Sequence, residues 1–198
     1  MPDNNASSFR LLVITPERPY ALETQWVNRL FANGLETLHL RKKGWSEQEL
    51  LAYLHKVEER YHPHIMVHYA ARMPELVEVK GVHFQQHTLP HVKPGYCVSC
   101  PVHSWEEFLA LAEQVDYALL SPFFNSISKP GYAAHPQLQQ VPANAPLNKV
   151  VAMGGIDGST INTVRQLGIG GAAVLGAIWQ AADPLAAFLE IQERVNNA

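Results

Sequence analysis

Apolar and β-branched residues along this chain fall in short runs, each followed by a stretch of helical spacing or by a loop. Phe9 to Thr15 predicts a first strand, and ALETQWVNRLFANG then spaces Leu22, Trp26, Leu30 and Phe31 along one helical face before Gly34 ends the pattern. Leu35 to Arg41 predicts the second strand. A helix follows over SEQELLAYLHKVEERY, where Ser46 and Glu49 have the spacing of a capping box. His64 to Tyr69 and Gly81 to Gln85 predict strands three and four, separated by a short helix in ARMPELVEV with Pro74 near its first turn.

Little helix is expected after the fourth strand, because Pro90 and Pro94 break TLPHVKPG. YCVSC predicts the fifth strand, and HSWEEFLALAEQ a helix with Ser104 and Glu107 again in capping-box spacing. Asp116 to Pro122 predicts the sixth strand. The long polar segment after it, NSISKPGYAAHP, is of the kind that often carries function when ordered. Lys149 to Gly155 and Gly171 to Gly176 predict strands seven and eight, with helices in DGSTINTVRQLG and DPLAAFLEIQERV.

Strands alternating with helices indicate an α/β fold with a parallel sheet. Eight such units predict a single-domain (β/α)8 TIM barrel over residues 1–198, with 1–8 as a flexible N-terminal segment. An open doubly wound sheet is the competing arrangement of the same pattern.

The charge balance, 15 Lys+Arg against 18 Asp+Glu, leaves −3, and no basic run exceeds Arg41-Lys42-Lys43, so nucleic acid is not an expected partner. No stretch approaches the roughly 20 apolar residues of a membrane span, and the first residues lack the order of a secretory signal. The expectation is a cytoplasmic protein with no membrane partner. Cys97 and Cys100 form a C-x-x-C, but within a strand residues three apart face opposite sides, which argues against a shared disulfide or metal.

In a parallel barrel the chemistry sits at the carboxyl ends of the strands. Those ends carry His39, Arg41, Lys43, His68, His83, Gln86, His103, the segment Ser126 to Lys129, Gly154, Gly155 and Gly176. The glycines after strands seven and eight suit a phosphate approaching bare backbone N–H groups. Alternation lets Arg41 point into the mouth beside His39, with Lys43 reaching in from the loop. Lys129 adds a third cation for a second, more highly charged phosphate group. His68, His83, His87 and His103 are a conceivable metal set, although a packed or hydrogen-bonded histidine is the commoner arrangement. No G-x-S-x-G, G-x-x-x-x-G-K-[ST] or H-E-x-x-H is present, which removes serine hydrolases of that type, P-loop enzymes and zincins.

Six segments together resemble one superfamily: HLRKK (His39 to Lys43), GVHFQQ (Gly81 to Gln86), VHSWEE (Val102 to Glu107), DYALLSPFFNSISKPG (Asp116 to Gly131), VVAMGGI (Val150 to Ile156) and GGAAVLGAI (Gly170 to Ile178). It is that of the thiamine phosphate synthases and TenI-type thiazole tautomerases, and the resemblance runs from about Leu11 to Pro184. It implies a transferase of thiamine biosynthesis, in which a pyrimidine pyrophosphate ionises and a thiazole phosphate attacks through its ring nitrogen. By that resemblance Arg41, Lys43 and Lys129 hold pyrophosphate and are catalytic. Ser126 and Ser128 line the thiazole site, while Gly154, Gly155, Leu175 and Gly176 bind the thiazole phosphate. His39, His68, His83, Gln86 and His103 complete the expected substrate-binding set.

The sequence departs from the synthase pattern where that family holds Mg²⁺: an Asn-Asp pair is replaced by His68-Tyr69, and a further Asp by Thr88. Mg²⁺ favours carboxylate and phosphate oxygens, so a protein-held Mg²⁺ is weakened and the identity of any metal stays open. His39 stands for a glutamine, Pro101 for a serine, and Pro122 for the histidine of the tautomerases. Two other activities therefore accompany the transferase: a thiazole phosphate tautomerase using His39, His68, His83 or His103 as acid and base, and a non-catalytic thiazole phosphate or thiamine phosphate binding protein. The resemblance also suggests association of two barrels into a homodimer.

Overall fold

Alternation along each strand divides its side chains between two environments, and that division decides how the sheet closes. In the computed structural model, which describes residues 9–85, 94–125, 131 and 133–197, eight parallel strands form a closed barrel in chain order. They are β1 (Arg10–Ile14), β2 (Thr37–Leu40), β3 (Ile65–His68), β4 (Gly81–His83), β5 (Cys97–Val102), β6 (Tyr117–Leu120), β7 (Val150–Met153) and β8 (Gly171–Val174). Pairing of β8 with β1, Val174 opposite Val13, completes the circle and excludes the open sheet. Each strand is a residue or more shorter than its apolar run at one end or both, except β5, which runs on to Val102.

Inward positions carry Leu12, Ile14, Met66, Tyr117, Leu119, Val151 and Ala173, which pack on one another inside the barrel. Strand residues of the opposite parity, among them Val13, Leu38, Leu40, Val67, Ala118, Leu120, Val150 and Val174, face out and form the larger core under the helices. Cys97 packs inside the barrel and Cys100 outside it; both are free thiols, as strand geometry requires. Burial pushes the two thiols up, to about 12 and about 11.

The outer layer contains α1 (Glu23–Ala32), α2 (Glu47–Leu54), α3 (Met73–Leu76), α4 (Trp105–Leu111), α5 (Ile161–Gln166), α6 (Gly176–Trp179) and α7 (Pro184–Asn196). Ser46 and Glu49 make the expected reciprocal capping box on α2. On α4 only half of that device forms. Ser104 accepts from the Glu107 N–H, but the Glu107 carboxylate turns back one residue further, to the His103 N–H at 2.6 Å.

The expected face of α1 is corrected. Leu22 lies outside the helix in the left-handed region (φ 55°) and is 63% exposed, and Trp26 is only half-buried; the buried face is Glu23, Val27, Leu30 and Phe31. Between β6 and β7, where a long polar loop is expected, the described residues form no α-helix. They hold two 3₁₀ turns, Pro136–Gln139 and Leu147–Lys149. The short α6 directly after β8 was not expected from the pattern.

Candidate active site at the barrel mouth

The segment after β2 separates its three cations by alternation. Lys42 faces outward and is buried: its ammonium donates to Glu23 Oε2 at 2.7 Å and to the Pro16 carbonyl at 2.6 Å, while the Tyr53 hydroxyl donates to Glu23 Oε1 at 2.8 Å. This ion pair ties the β2–α2 loop to α1, and burial beside the carboxylate pushes the Tyr53 hydroxyl well up. Sequence reasoning missed it, since no spacing rule links residues 23 and 42.

Arg41, on the same parity as His39, stays on the mouth side. Its backbone N–H donates to the Thr15 hydroxyl at 2.9 Å, and its guanidinium donates to Glu17 Oε2 at 3.0 Å. Lys43 is exposed beyond it.

Below the mouth, three expected site residues converge. His39, His68 and His83 project into the barrel from three consecutive strands and are 0%, 4% and 3% exposed. His68 and His83 are register partners, and His39 pairs with Met66, two residues before His68. His39 Nδ1 lies 2.9 Å from His68 Nε2, and His39 Nε2 lies 2.6 Å from the Tyr117 hydroxyl. His83 Nδ1 lies 2.8 Å from the Ser99 hydroxyl, and the His68 and His83 rings overlap with centroids 4.1 Å apart.

Burial holds all three imidazoles neutral: His83 is lowered to about 3, and His39 and His68 well below the ordinary histidine value. The positive charge of Arg41 acts in the same direction on His68 and His83, which places the guanidinium's field over the cluster. His39 has no accessible surface and both its nitrogens are engaged, while His68 and His83 keep a small exposed fraction. Tyr117 and Ser99, inward residues of β6 and β5, are cluster members that the sequence did not single out.

His103 is not part of this group. It is exposed after β5, with Nδ1 2.9 Å from the Ser121 carbonyl.

On the opposite side of the mouth, Gly154 (φ 99°) and Gly155 (φ 65°) turn the chain out of β7. A Cβ on Gly154 would lie 3.0 Å from Pro122 Cα, and one on Gly155 would collide with the Asn125 carbonyl oxygen. Phe124 N–H donates to the Gly154 carbonyl at 2.9 Å and the Thr160 hydroxyl to the Gly155 carbonyl at 3.0 Å, fixing the turn. Leu175 caps α6 and Gly176 begins it; Trp179 Nε1–H donates to the Ile14 carbonyl at 2.7 Å, securing that short helix to the end of β1. The expected site residues Gln86, Ser126, Ser128 and Lys129, with His87 and Thr88, lie outside the described residues.

The donor set does not suit Mg²⁺. The two positions that the resemblance assigns to that ion and that are described here offer an imidazole, His68, and an exposed phenol, Tyr69. Among the described residues the one group of three metal-ligating side chains is His39, His68 and His83, all nitrogen. A hard ion that favours oxygens finds no carboxylate there.

A closed barrel of eight parallel strands in chain order, with helices packed outside it, defines the class of (β/α)8 barrels. Residues 11–178 match the family model described as thiamine monophosphate synthase, and the chain belongs to that family. It is 29% identical over 196 residues to the thiamine-phosphate synthase of Thermus thermophilus, covering 93% of this chain and 95% of that protein. It is also 29% identical over 178 residues to that of Cronobacter sakazakii, covering 83% and 85%. The crystal structure of thiamine phosphate pyrophosphorylase from Bacteroides thetaiotaomicron superposes with a TM-score of 0.80 at 26% identity, over 95% of this chain and 98% of that one. A 3-hexulose-6-phosphate synthase from Salmonella typhimurium, at 14% identity and a TM-score of 0.66 over 94% and 98%, shares the fold.

Proposed function

We propose that the protein is a transferase of thiamine biosynthesis that condenses a pyrimidine pyrophosphate with thiazole phosphate to give thiamine phosphate and pyrophosphate. The observation that carries this reading is the family match over residues 11–178, which spans both the Arg41 strand end and the glycine turns. In the reaction the bond from the pyrimidine's methylene carbon to the pyrophosphate oxygen breaks, and its electron pair leaves with pyrophosphate. The thiazole nitrogen then supplies the pair for the new C–N bond.

The demand on the protein is to stabilise the leaving charge and to hold the two reactants together. Arg41, Lys43 and Lys129 take the first task. Gly154, Gly155, Leu175 and Gly176 take the second, at the thiazole phosphate. By the resemblance, Ser126 and Ser128 are assigned to the thiazole and Gln86 and His103 to substrate binding. His68 and His83 form the floor, with His39 beneath them as a positioning residue. Arg41, oriented by Thr15 and Glu17, is the best defined of the cations. Mg²⁺ carried by the pyrophosphate oxygens, with no protein carboxylate, is the form in which this reading includes that ion. The reading also includes a homodimer, which sedimentation velocity tests.

The Arg41→Ala variant tests the mechanism. Removing one charged donor to the leaving group lowers kcat by about 10²–10³-fold, with thiamine phosphate followed by thiochrome fluorescence. Normal turnover in that variant overturns the assignment of Arg41.

A further inference from the structure

Three buried imidazoles in the interior of a barrel call for an explanation, because apart from their own partners Tyr117 and Ser99 the inward positions around them are apolar, among them Leu12, Ile14, Met66, Leu119, Val151 and Ala173. Polar groups survive in such a place when they are fully hydrogen-bonded or when they hold something. Hydrogen bonding within the cluster is incomplete. His39 is satisfied on both sides and His83 bonds Ser99, but His68 Nδ1 is buried with no partner. Leaving a buried ring nitrogen unpaired is costly, and an apolar residue would fill the position without that penalty.

We propose that His39, His68 and His83 bind a divalent transition-metal ion of the Zn²⁺ class. One ring nitrogen from each histidine can be chosen so that all three lie within 4.8 Å of one another. Ligands on a tetrahedral Zn²⁺, with Zn–N near 2.0–2.1 Å, stand about 3.3–3.4 Å apart. The His39–His68 pair at 2.9 Å therefore opens by a few tenths of an ångström, and the widest separation, within 4.8 Å, closes by at most about 1.4 Å, which side-chain rotation supplies.

The surroundings are those of a metal site. Metal-bound histidines usually direct their other nitrogen to a hydrogen-bond partner that fixes the tautomer, and Tyr117 and Ser99 occupy that position for His39 and His83. No net proton is lost on binding: His39 keeps its proton on Nε2 and His83 on Nδ1, while His68, which donates from Nε2 to His39 Nδ1 in the metal-free cluster, coordinates through Nε2 and carries its proton on Nδ1. Three protein ligands leave one position of a tetrahedral ion open for water or for a donor atom of a bound molecule. Imidazole nitrogen favours Zn²⁺, Co²⁺ or Ni²⁺ over Mg²⁺, so this site is distinct in its chemistry from an oxygen-ligated Mg²⁺. The inference rests on the cluster alone and stands whether or not the transferase reading holds.

The test is titration of untagged, metal-free protein with Co²⁺, read by the intense visible absorption of a tetrahedral ion. About one equivalent is expected to bind, and Zn²⁺ is expected to displace it. A saturating, hundredfold excess of Zn²⁺ over Kd raises Tm by about 5–10 °C, and Mg²⁺ leaves both signals unchanged. His39→Gln, His68→Gln and His83→Gln each abolish the tetrahedral spectrum, while His55→Gln, an exposed histidine after α2, retains it. Should a core variant fail to fold, Tyr117→Phe, which keeps the ring, is expected to weaken Co²⁺ binding by about 10–100-fold. Absence of a tetrahedral Co²⁺ species in the native protein overturns the proposal, as does a spectrum that survives all three substitutions.

Discussion

Replacing Gly155 by alanine places a methyl group where the chain after β6 already passes. The residue has φ 65°, and the new Cβ would collide with the Asn125 carbonyl oxygen and lie 2.7 Å from Phe124 Cβ. Gly44 provides the control, since its φ is 80° and a Cβ there meets nothing within 4 Å. An alanine at Gly44 bears only the left-handed backbone cost of roughly 1–2 kcal/mol, reduced by about 0.4–1 kcal/mol through the stiffer unfolded chain. Gly44→Ala should therefore cost about 1 kcal/mol, or ~2–4 °C in Tm for a chain of this size. Gly155→Ala adds an overpacking cost of about 1–3 kcal/mol, for a total near 2–4 kcal/mol and a Tm drop of roughly 5–15 °C. Thermal unfolding followed by circular dichroism measures both. Calorimetric titration with thiazole phosphate should show weakened binding in Gly155→Ala and unchanged binding in Gly44→Ala. Equal Tm shifts in the two variants would refute the close-approach argument, and full thiazole phosphate affinity in Gly155→Ala would remove the phosphate role of this turn.

Two further outcomes follow from the buried charges and imidazoles. Glu23→Ala leaves the Lys42 ammonium buried without its carboxylate and should destabilise by about 3–5 kcal/mol; a urea midpoint unchanged from that of the native protein contradicts the role given to this pair. Lowering the pH should destabilise the fold through His83, whose folded value of about 3 lies below the unfolded one, so the stabilisation present above the unfolded value is lost as pH falls. At pH 5 the unfolded chain has taken up the proton and the folded chain has not, a loss of about 2 kcal/mol for an unfolded value near 6.5, with His39 and His68 acting in the same direction. Urea unfolding at pH 7.5 and pH 5 gives the difference; equal stabilities, or a native pH dependence retained in His83→Gln, would be the contrary result.

The eight strand units were legible from the alternation of apolar runs with helices and loops, but closure was not, since the same pattern suits an open doubly wound sheet and only the β8–β1 pairing decides it; alternation along β2 also put Arg41 on the side of His39. Where local rules compete, the sequence was a weaker guide. Leu22 fits the helical period of α1, yet the chain enters that helix through a left-handed residue, so Leu22 projects outward and Glu23 is drawn in by Lys42 and Tyr53. Glu107 has capping-box spacing, yet a closer N–H at His103 takes its carboxylate. Position along the sequence groups His68 and His83 with His87 and His103, whereas the fold joins them to His39. A sharper signal was available: His39, His68 and His83 occupy inward positions of three consecutive strands, which in a closed barrel must meet. Tyr117 of β6 reaches His39 of β2 across the barrel interior, a contact that depends on closure and has no counterpart in local spacing, whereas Ser99 is simply the register partner of His83 on the adjacent strand.

The central claim is that this barrel joins the two substrates with loss of pyrophosphate, and the most direct measurement is the stoichiometry of that exchange. Purified protein is incubated with pyrimidine pyrophosphate and thiazole phosphate in Mg²⁺-containing buffer, with thiamine phosphate read as thiochrome and pyrophosphate by a coupled release assay. The account predicts one pyrophosphate released for each thiamine phosphate formed, and release that requires both substrates. Thiazole phosphate binding with neither product formed would contradict it and leave a binding protein or a tautomerase in its place.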